Sequence, residues 1–399
     1  MVKRVIIIGQ GYTGRLSIAR SVAEIGCEVT LIVITPGSAP AKHYHKPVDA
    51  RSKYVKHYYF TPNHNDNALI DLLLRSCKCV DSKPVIIPDS DFAAAAVDRH
   101  LDRLEPYFHC PHIGHQPGAV LAWMDKIRQK ALAKECGLTV APYSVADLSS
   151  ADPSLAEGIS FPCFVKPLVS AECGKRGIGR CNDRKELSEH LKLMHASGGR
   201  KVLIEEYREI SAEYATLGFS DGDHVIIPGL LELLRIAHGS HFGVAIQGKV
   251  FPVTGYEDLV SQFEAFVRTI GFVGLFDIDF YQSGGVFYFG ELNLRFGGSG
   301  YAFTRMGANL PALFVNHCYG EALPFVSPIR SEAIYVNERM GFDDWQSDYI
   351  SGKALKGLIK KADILFLKND TDPAPYRAFR RSFPRARLMK TLKKWKKSI

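Results

Sequence analysis

Two short polar runs stand out by type and spacing: Asp277-Ile278-Asp279-Phe280, and Glu291-Leu292-Asn293-Leu294-Arg295. Leu275 to Tyr281 and Val286 to Asn293 alternate in polarity around Gln282-Ser283-Gly284-Gly285, the pattern of a hairpin with a glycine-containing loop. Side chains alternate faces along a strand, so Asp277 and Asp279 share a face, as do Glu291, Asn293 and Arg295. Pairing of the two strands then converges Asp279, Glu291 and Asn293 on one point. These are hard oxygen ligands of the kind that hold Mg²⁺, with Mn²⁺ as a substitute. Arg295 on the same face offers a planar fork to a phosphoryl or carboxylate group. Phe276, Ile278, Phe280, Phe287, Phe289 and Leu292 are expected to bury the opposite face and make the support rigid.

The elements that must carry this hairpin follow from periodicity. Lys3 to Gly9 reads as a short buried strand that runs into Gly9-Gln10-Gly11-Tyr12-Thr13-Gly14 and then a helical segment through Ala23. Glu28 to Ile34 and Pro84 to Pro88 are further strands, and Asp91 to Leu104 is helical. This alternation predicts a parallel sheet covered by helices. The G-x-G-x-x-G run has the context of a phosphate-binding turn. No acid follows where a nicotinamide dinucleotide site needs one, because Ile34-Thr35-Pro36 stands there, so the glycines are read as a tight strand-to-helix turn. Asp125 to Cys136 is a helix stopped by Gly137. From Phe161 the pattern changes to short strands: 161–166, 179–181, 202–207, 213–218 and 225–227. Two small α+β lobes are expected there.

Composition bounds the rest. A chain of 399 residues with 46% apolar and 23% charged residues suits two or three globular units and excludes a disordered or collagenous chain. Nine cysteines from Cys27 to Cys318 show no framework spacing and are read as reduced thiols. His109-Cys110-Pro111-His112 with His115 has metal-like spacing, but without a second ligand pair these residues are read as structural or substrate-lining. No apolar run approaches the roughly 18 residues of a membrane span, and the protein is expected in the cytosol. The net charge of +8 is concentrated between Arg377 and Lys397, which hold ten basic and no acidic residues and leave the body nearly neutral. Leu388, Leu392 and Trp395 fall at helical spacing, which describes a basic amphipathic tail able to lie on an anionic membrane surface. An acidic protein partner, RNA or a disordered solubilising end are weighed behind that reading.

Taken in order, Lys126, Lys166-Pro167, the loop Ser170 to Gly177, Glu205-Glu206-Tyr207, Glu213, Asp279 and Glu291 to Arg295 resemble the ATP-grasp ligases. The resemblance covers about residues 110–320, and the start of the chain is similar to the domain that usually precedes that fold. It implies a fold of mixed α/β and α+β class: an N-terminal Rossmann-like pre-ATP-grasp domain (1–115), an ATP-grasp domain of two α+β lobes (116–325, small lobe about 125–200), a C-terminal extension (326–376) and a basic tail (377–399). Within the superfamily, residues 274–315 are most similar to D-aspartate ligase and its carboxylate–amine ligase relatives.

Roles carried over from the resemblance are as follows. Lys126 and Lys166 face the α- and β-phosphates of ATP from two lobes. Ser170, Gly174 and Gly177 belong to a mobile phosphate flap, with Lys175 and Arg176 adding charge beside the γ-phosphate; Glu172 and Cys173 depart from the family's more glycine-rich loop. Glu205, Glu206 and Tyr207 meet the adenine, Glu213 the ribose, and Asp279, Glu291 and Asn293 one or two metal ions. Arg295 stabilises the transferring phosphoryl group. The implied activity is ATP-dependent ligation of a small carboxylate, such as an amino acid, to an amine acceptor through an acyl phosphate, with a cell-envelope precursor or glycan as a candidate acceptor. A homodimer is allowed, nucleic acid is not expected as a partner, and the tail would bring the enzyme to the inner face of a membrane. An NAD(P)-dependent oxidoreductase using the glycine loop and a non-catalytic ATP sensor are the competing readings.

Overall fold

The computed structural model describes residues 2–36, 44–79, 81–148, 159–168, 177–238, 244–323, 328–381 and 383. The apolar run at the start forms β1 (Arg4–Gly9), which pairs in parallel with β2 (Glu28–Thr35) and β4 (Val85–Pro88), while β3 (Val55–Pro62) extends the other edge. Helices cover both faces of this β3-β2-β1-β4 sheet, which explains why its central strands are continuously apolar. The predicted helix 91–104 divides at His100 into Asp91–Arg99 and Leu101–Leu104, and Ser90 caps the first piece by accepting from the Ala93 N–H.

A connecting segment with β5 (His112–Ile113) leads into the helix Lys126–Glu135. The Asp125 side chain accepts from the Ile127 and Arg128 N–H groups, which fixes Lys126 at the first helical position. Four strands, β6 (Tyr143–Asp147), β7 (Cys163–Pro167), β8 (Gly179–Cys181) and β9 (Lys201–Glu206), make an antiparallel sheet in the order β6-β9-β7-β8. One face packs Cys163, Val165, Val202 and Ile204 against Leu187, Leu191 and Met194 of the helix Arg184–Ala196. Period-two alternation turns Phe164, Lys166, Leu203 and Glu205 to the other face.

The large sheet begins with β10 (Ala212–Asp221), β11 (Val225–Ile226), β12 (Leu230–Ile236) and β13 (Ala245–Phe251), continues with β14 (Phe272–Ser283) and β15 (Val286–Asn293), and closes with β16 (Ala333–Val336) and β17 (Ile364–Leu365). Its order is β15-β14-β10-β12-β13-β16-β17, with β5 and β11 pairing to β14 and β10.

The two small lobes are therefore unequal, and three boundaries differ from expectation. The helix Lys126–Glu135 packs on β15, where Gln129 donates to the Leu292 carbonyl and accepts from the Leu292 N–H, so it supports the large sheet rather than the small lobe. Residues 326–376 are no separate extension: β16 continues the large sheet beside β13, and Asp372 ties it to the first domain through Arg20 (3.0 Å) and Ser52 (2.8 Å). Helix Ala374–Arg380 runs past the expected start of the tail, because Phe379 and Phe383 pack on Phe342. The remainder of the tail, with Leu388, Leu392 and Trp395, lies outside the described residues. All eight described cysteines are unbonded. Among the described residues no helix is long and apolar enough to cross a membrane.

Candidate functional site

The hairpin β14–β15 is where the acids were expected, and its register sets Asp279 opposite Glu291 and Asp277 opposite Asn293. A bulge at Gly290 makes this arrangement possible. Phe280 pairs with Phe289 while Asp279 pairs with Glu291, so Gly290 is the extra residue and the strand changes face there. Strict alternation would have put Phe287 and Phe289 on the acid face; the bulge turns them to the side of buried Phe276, Ile278 and Phe280. A Cβ at Gly290 would lie 2.7 Å from the Asp279 carbonyl oxygen, which restricts the position to glycine.

Asn293 Nδ2 donates to Asp279 Oδ2 at 3.2 Å, so the predicted metal ligands Asp279, Glu291 and Asn293 do meet on one face. Asp277 joins them. Burial, the negative charge of Glu291 and that of Asp91 raise its pKa to about 6 against the opposing pull of Arg295. Burial together with Asp277 and Glu291 holds Asp279 well above the ordinary carboxylate range. Asp277 Oδ1 is buried without a hydrogen-bond partner. Such a donor set is short of positive charge and rich in hard oxygen, which is what a divalent cation supplies and requires, so the residues fit Mg²⁺.

Glu291 is ordered differently from the two aspartates. Burial opposes its ionisation, but Lys126, Lys166 and Arg295 outweigh that and bring its pKa to about 2. Lys126, itself buried, places Nζ 3.0 Å from Glu291 Oε2. From the small lobe, Lys166 Nζ lies 2.8 Å from Glu205 Oε2, and from the helix Lys126–Glu135, Lys130 Nζ lies 2.5 Å from Glu205 Oε1. The two expected phosphate-facing lysines thus meet from two lobes, and Lys130 is a third that the sequence reading missed. Its signal was available: Lys130 follows Lys126 by four positions, hence the same helix face. Burial lowers the Lys130 pKa to about 8 against the pull of Glu205, whereas Glu205, Glu291 and Asp279 raise that of Lys166 in spite of burial. The two lysines in turn hold Glu205 below the ordinary range despite its own burial.

The remaining expected residues are less concentrated. Glu205 spends both carboxylate oxygens on lysines, and the N–H groups of Glu206 and Tyr207 donate to Pro142 and Pro162 carbonyls. Glu206 also pairs with Arg208 at 3.2 Å, and Arg180 stacks over the Tyr207 ring. Glu213 stands near the start of β10, where burial raises its pKa. Gly177, expected in the phosphate flap, is packed on the helix Arg184–Ala196: its φ is +77°, a Cβ would come within 2.8 Å of Met194 Cγ, and its carbonyl meets His190 Nδ1 at 2.7 Å. It anchors the end of that loop. Ser170, Gly174, Lys175 and Arg176 lie outside the described residues.

Arg295 joins the hairpin to the first domain. Nε donates to Asp91 Oδ1 at 2.9 Å, Nη2 donates to Asn293 Oδ1 at 3.3 Å, and Nη1 lies 3.6 Å from Asp277 Oδ2. With Gly11, Asp89 and Asp91 it lines a cleft of about 1460 Å³ at the C-terminal ends of the parallel strands. The glycine loop faces that cleft, but its tightest neighbour is a protein carboxylate: a Cβ on Gly14 would come within 2.4 Å of Asp89 Oδ1, and one on Gly9 within 2.8 Å of Asp89 Cβ. Asp89 is held up at about 7 by burial. The glycines make room for Asp89, a residue the sequence reading overlooked, as it did Asp91.

Comparison with known proteins bears on the fold. A family model described as the ATP-grasp domain matches residues 131–311. The carbamoyl phosphate synthase large chain of Gemmatimonas aurantiaca is 25% identical over 215 residues, covering 53% of this chain and 20% of that protein. The chain thus spans about a fifth of the length of this curated relative. Two solved structures share the fold. The biotin carboxylase domain of Hydrogenobacter thermophilus 2-oxoglutarate carboxylase, in complex with MgADP, ADP and bicarbonate, aligns with a TM-score of 0.63 at 20% identity over 84% of this chain and 74% of its own. The L-amino acid ligase of Bacillus licheniformis aligns with a TM-score of 0.60 at 17% identity over 83% and 79%.

Proposed function

Because this chain contains an ATP-grasp domain over residues 131–311, we propose that it is an ATP-dependent ligase that joins a small carboxylate to an amine and releases ADP and phosphate. The observation that carries the reading is the meeting of Lys126, Lys130 and Lys166 with Glu205 and Glu291 between two lobes, beside the undercompensated pair Asp277 and Asp279. A triphosphate is the ligand that uses both halves. The lysines exchange their carboxylate partners for phosphate oxygens, and the acids so released are free to hold a cation. ATP and Mg²⁺ are the usual ligands of ATP-grasp domains, and one related structure contains MgADP.

Asp279, Glu291 and Asn293 would hold the cation, with Asp277 beside them; when bound, it neutralises phosphate charge and aligns the leaving group. Lys126 and Lys166 position the phosphates as point charges. Arg295, already forked between Asp91, Asn293 and Asp277, orients the substrate carboxylate for attack on the γ-phosphate and offers N–H groups to the oxyanion that forms when the amine displaces phosphate from the acyl carbon. No protein nucleophile is needed, so positioning and charge neutralisation supply the rate. The phosphate flap that the family resemblance assigns to residues 170–177 would exclude water from the acyl phosphate.

The carboxylate is read as that of an amino acid, which the shared fold with an L-amino acid ligase supports. The acceptor is read as a cell-envelope precursor or glycan, from the resemblance of residues 274–315 to D-aspartate ligase together with the basic tail at residues 377–399. The chemistry is tested with substrate carrying ¹⁸O in its carboxylate: transfer of one label to inorganic phosphate is the expected result. Label retained wholly in the product would contradict an acyl phosphate.

A further inference from the structure

A second cluster of ligand-bearing side chains lies at the other end of β14. Glu105, His112 and His115 each bring a donor atom to within 4.8 Å of the others. His115 Nδ1 is 2.6 Å from Glu105 Oε1, and the His112 and His115 rings stack with centroids 3.7 Å apart. His112 Nδ1 is buried with no hydrogen-bond partner. The three residues line a pocket of about 380 Å³ that also receives His109, His317 and Cys318. Lys83 borders it but directs its ammonium to the Glu105 carbonyl at 3.0 Å. Val273 of β14 pairs with His112, six residues from Asp279. At ~3.4 Å per residue that is roughly 20 Å from the phosphate site, so the cluster belongs to a different locus.

We propose that Glu105, His112 and His115 bind a transition-metal dication of the Zn²⁺ class. Two imidazoles and one carboxylate form a three-ligand set typical of zinc, leaving a fourth position to water or a neighbouring side chain. Imidazole disfavours Mg²⁺ and Ca²⁺, which the hard oxygens of the hairpin select instead. Tetrahedral donors at ~2.0–2.2 Å from the ion lie about 3.4 Å apart, so modest side-chain rotation closes the present spacing. The sequence alone offered histidines in a loop without a further ligand pair. The fold supplies Glu105 from the end of the first domain and fixes His112 on β5 against the large sheet. The ion would therefore pin the first domain to the edge of the ATP-grasp sheet and stabilise the joint between them.

The test uses full-length, untagged protein freed of metal, in a Glu291→Gln background that weakens the hairpin site. Titration with Co²⁺, followed by its visible ligand-field absorption, is expected to show one tetrahedral ion per chain. His115→Gln should weaken binding by more than about 100-fold, beyond the loss typical of an outer-shell partner. Zn²⁺ should raise the unfolding temperature of the parent and not that of His115→Gln. Because His115 is largely exposed, with 66% of its side chain accessible, the metal-free melting temperature should be the same in both chains, which separates loss of a ligand from loss of the fold. Absence of a tetrahedral Co²⁺ spectrum, or equal Zn²⁺ stabilisation of the two chains, overturns the proposal.

Discussion

Lys126 and Glu291 come from a helix and a strand 165 positions apart in sequence and meet at 3.0 Å, so that a buried ammonium and a carboxylate neutralise each other. The pair keeps Glu291 ionised, and under the proposed function each partner would leave the other for the nucleotide complex to form. Glu205 with Lys130 and Lys166 repeats the device on the facing lobe.

Glu205→Gln should be strongly destabilising. Lys130 is 1% exposed and would be left as an uncompensated buried ammonium, at a cost of about 3 kcal/mol or more. Glu213→Gln, at a position with a carboxyl already raised by burial, should cost less than about 1 kcal/mol. Denaturant unfolding of the two variants checks the ranking.

Nucleotide affinity should fall as pH rises through about 8, where Lys130 loses its proton and the site loses a positive charge. The sign for the free protein is opposite: a lysine pKa lowered on folding means that the unfolded chain binds more protons between about 8 and the ordinary value, so this group's contribution to stability rises with pH in that window. ADP binding from pH 6.5 to pH 9 checks this, with Lys130→Met expected to bind weakly and to lack the step.

Gly14→Ala should destabilise the first domain by about 1–3 kcal/mol through collision with Asp89, and Asp89→Ala should restore much of the loss. NAD(P)H, titrated by fluorescence, should not bind to either chain. Rescue by Asp89→Ala distinguishes a packing role for the glycine from a ligand-binding one.

Arg295→Lys should reduce kcat by about 100-fold or more while leaving ATP affinity within a few-fold, because a point charge cannot serve Asp91, Asn293 and a reacting oxyanion together. Separate measurement of ATP binding and turnover checks the division.

The hairpin and its acids were legible because period-two alternation and a glycine turn are local signals. The parallel sheet and the Lys166 strand were legible for the same reason. What escaped is what only packing decides. The Gly290 bulge changes the face of half a strand without a mark in the composition. Lys130 looks like a surface lysine until Glu205 arrives from another lobe, and Asp89 is visible only as the atom that Gly14 avoids. The segment after 326 reads as an appendage because β16 pairs with β13, far behind it in sequence. Glu105 likewise joins His112 and His115 only through the fold.

The most direct test of the central claim is ADP release from MgATP across a panel of D- and L-amino acids with amine acceptors, beside Glu291→Ala. Release stimulated by one carboxylate and acceptor, and lost in the variant, is the predicted result. Failure of the wild-type protein to bind ATP, or stimulated release that survives Glu291→Ala unchanged, would contradict it.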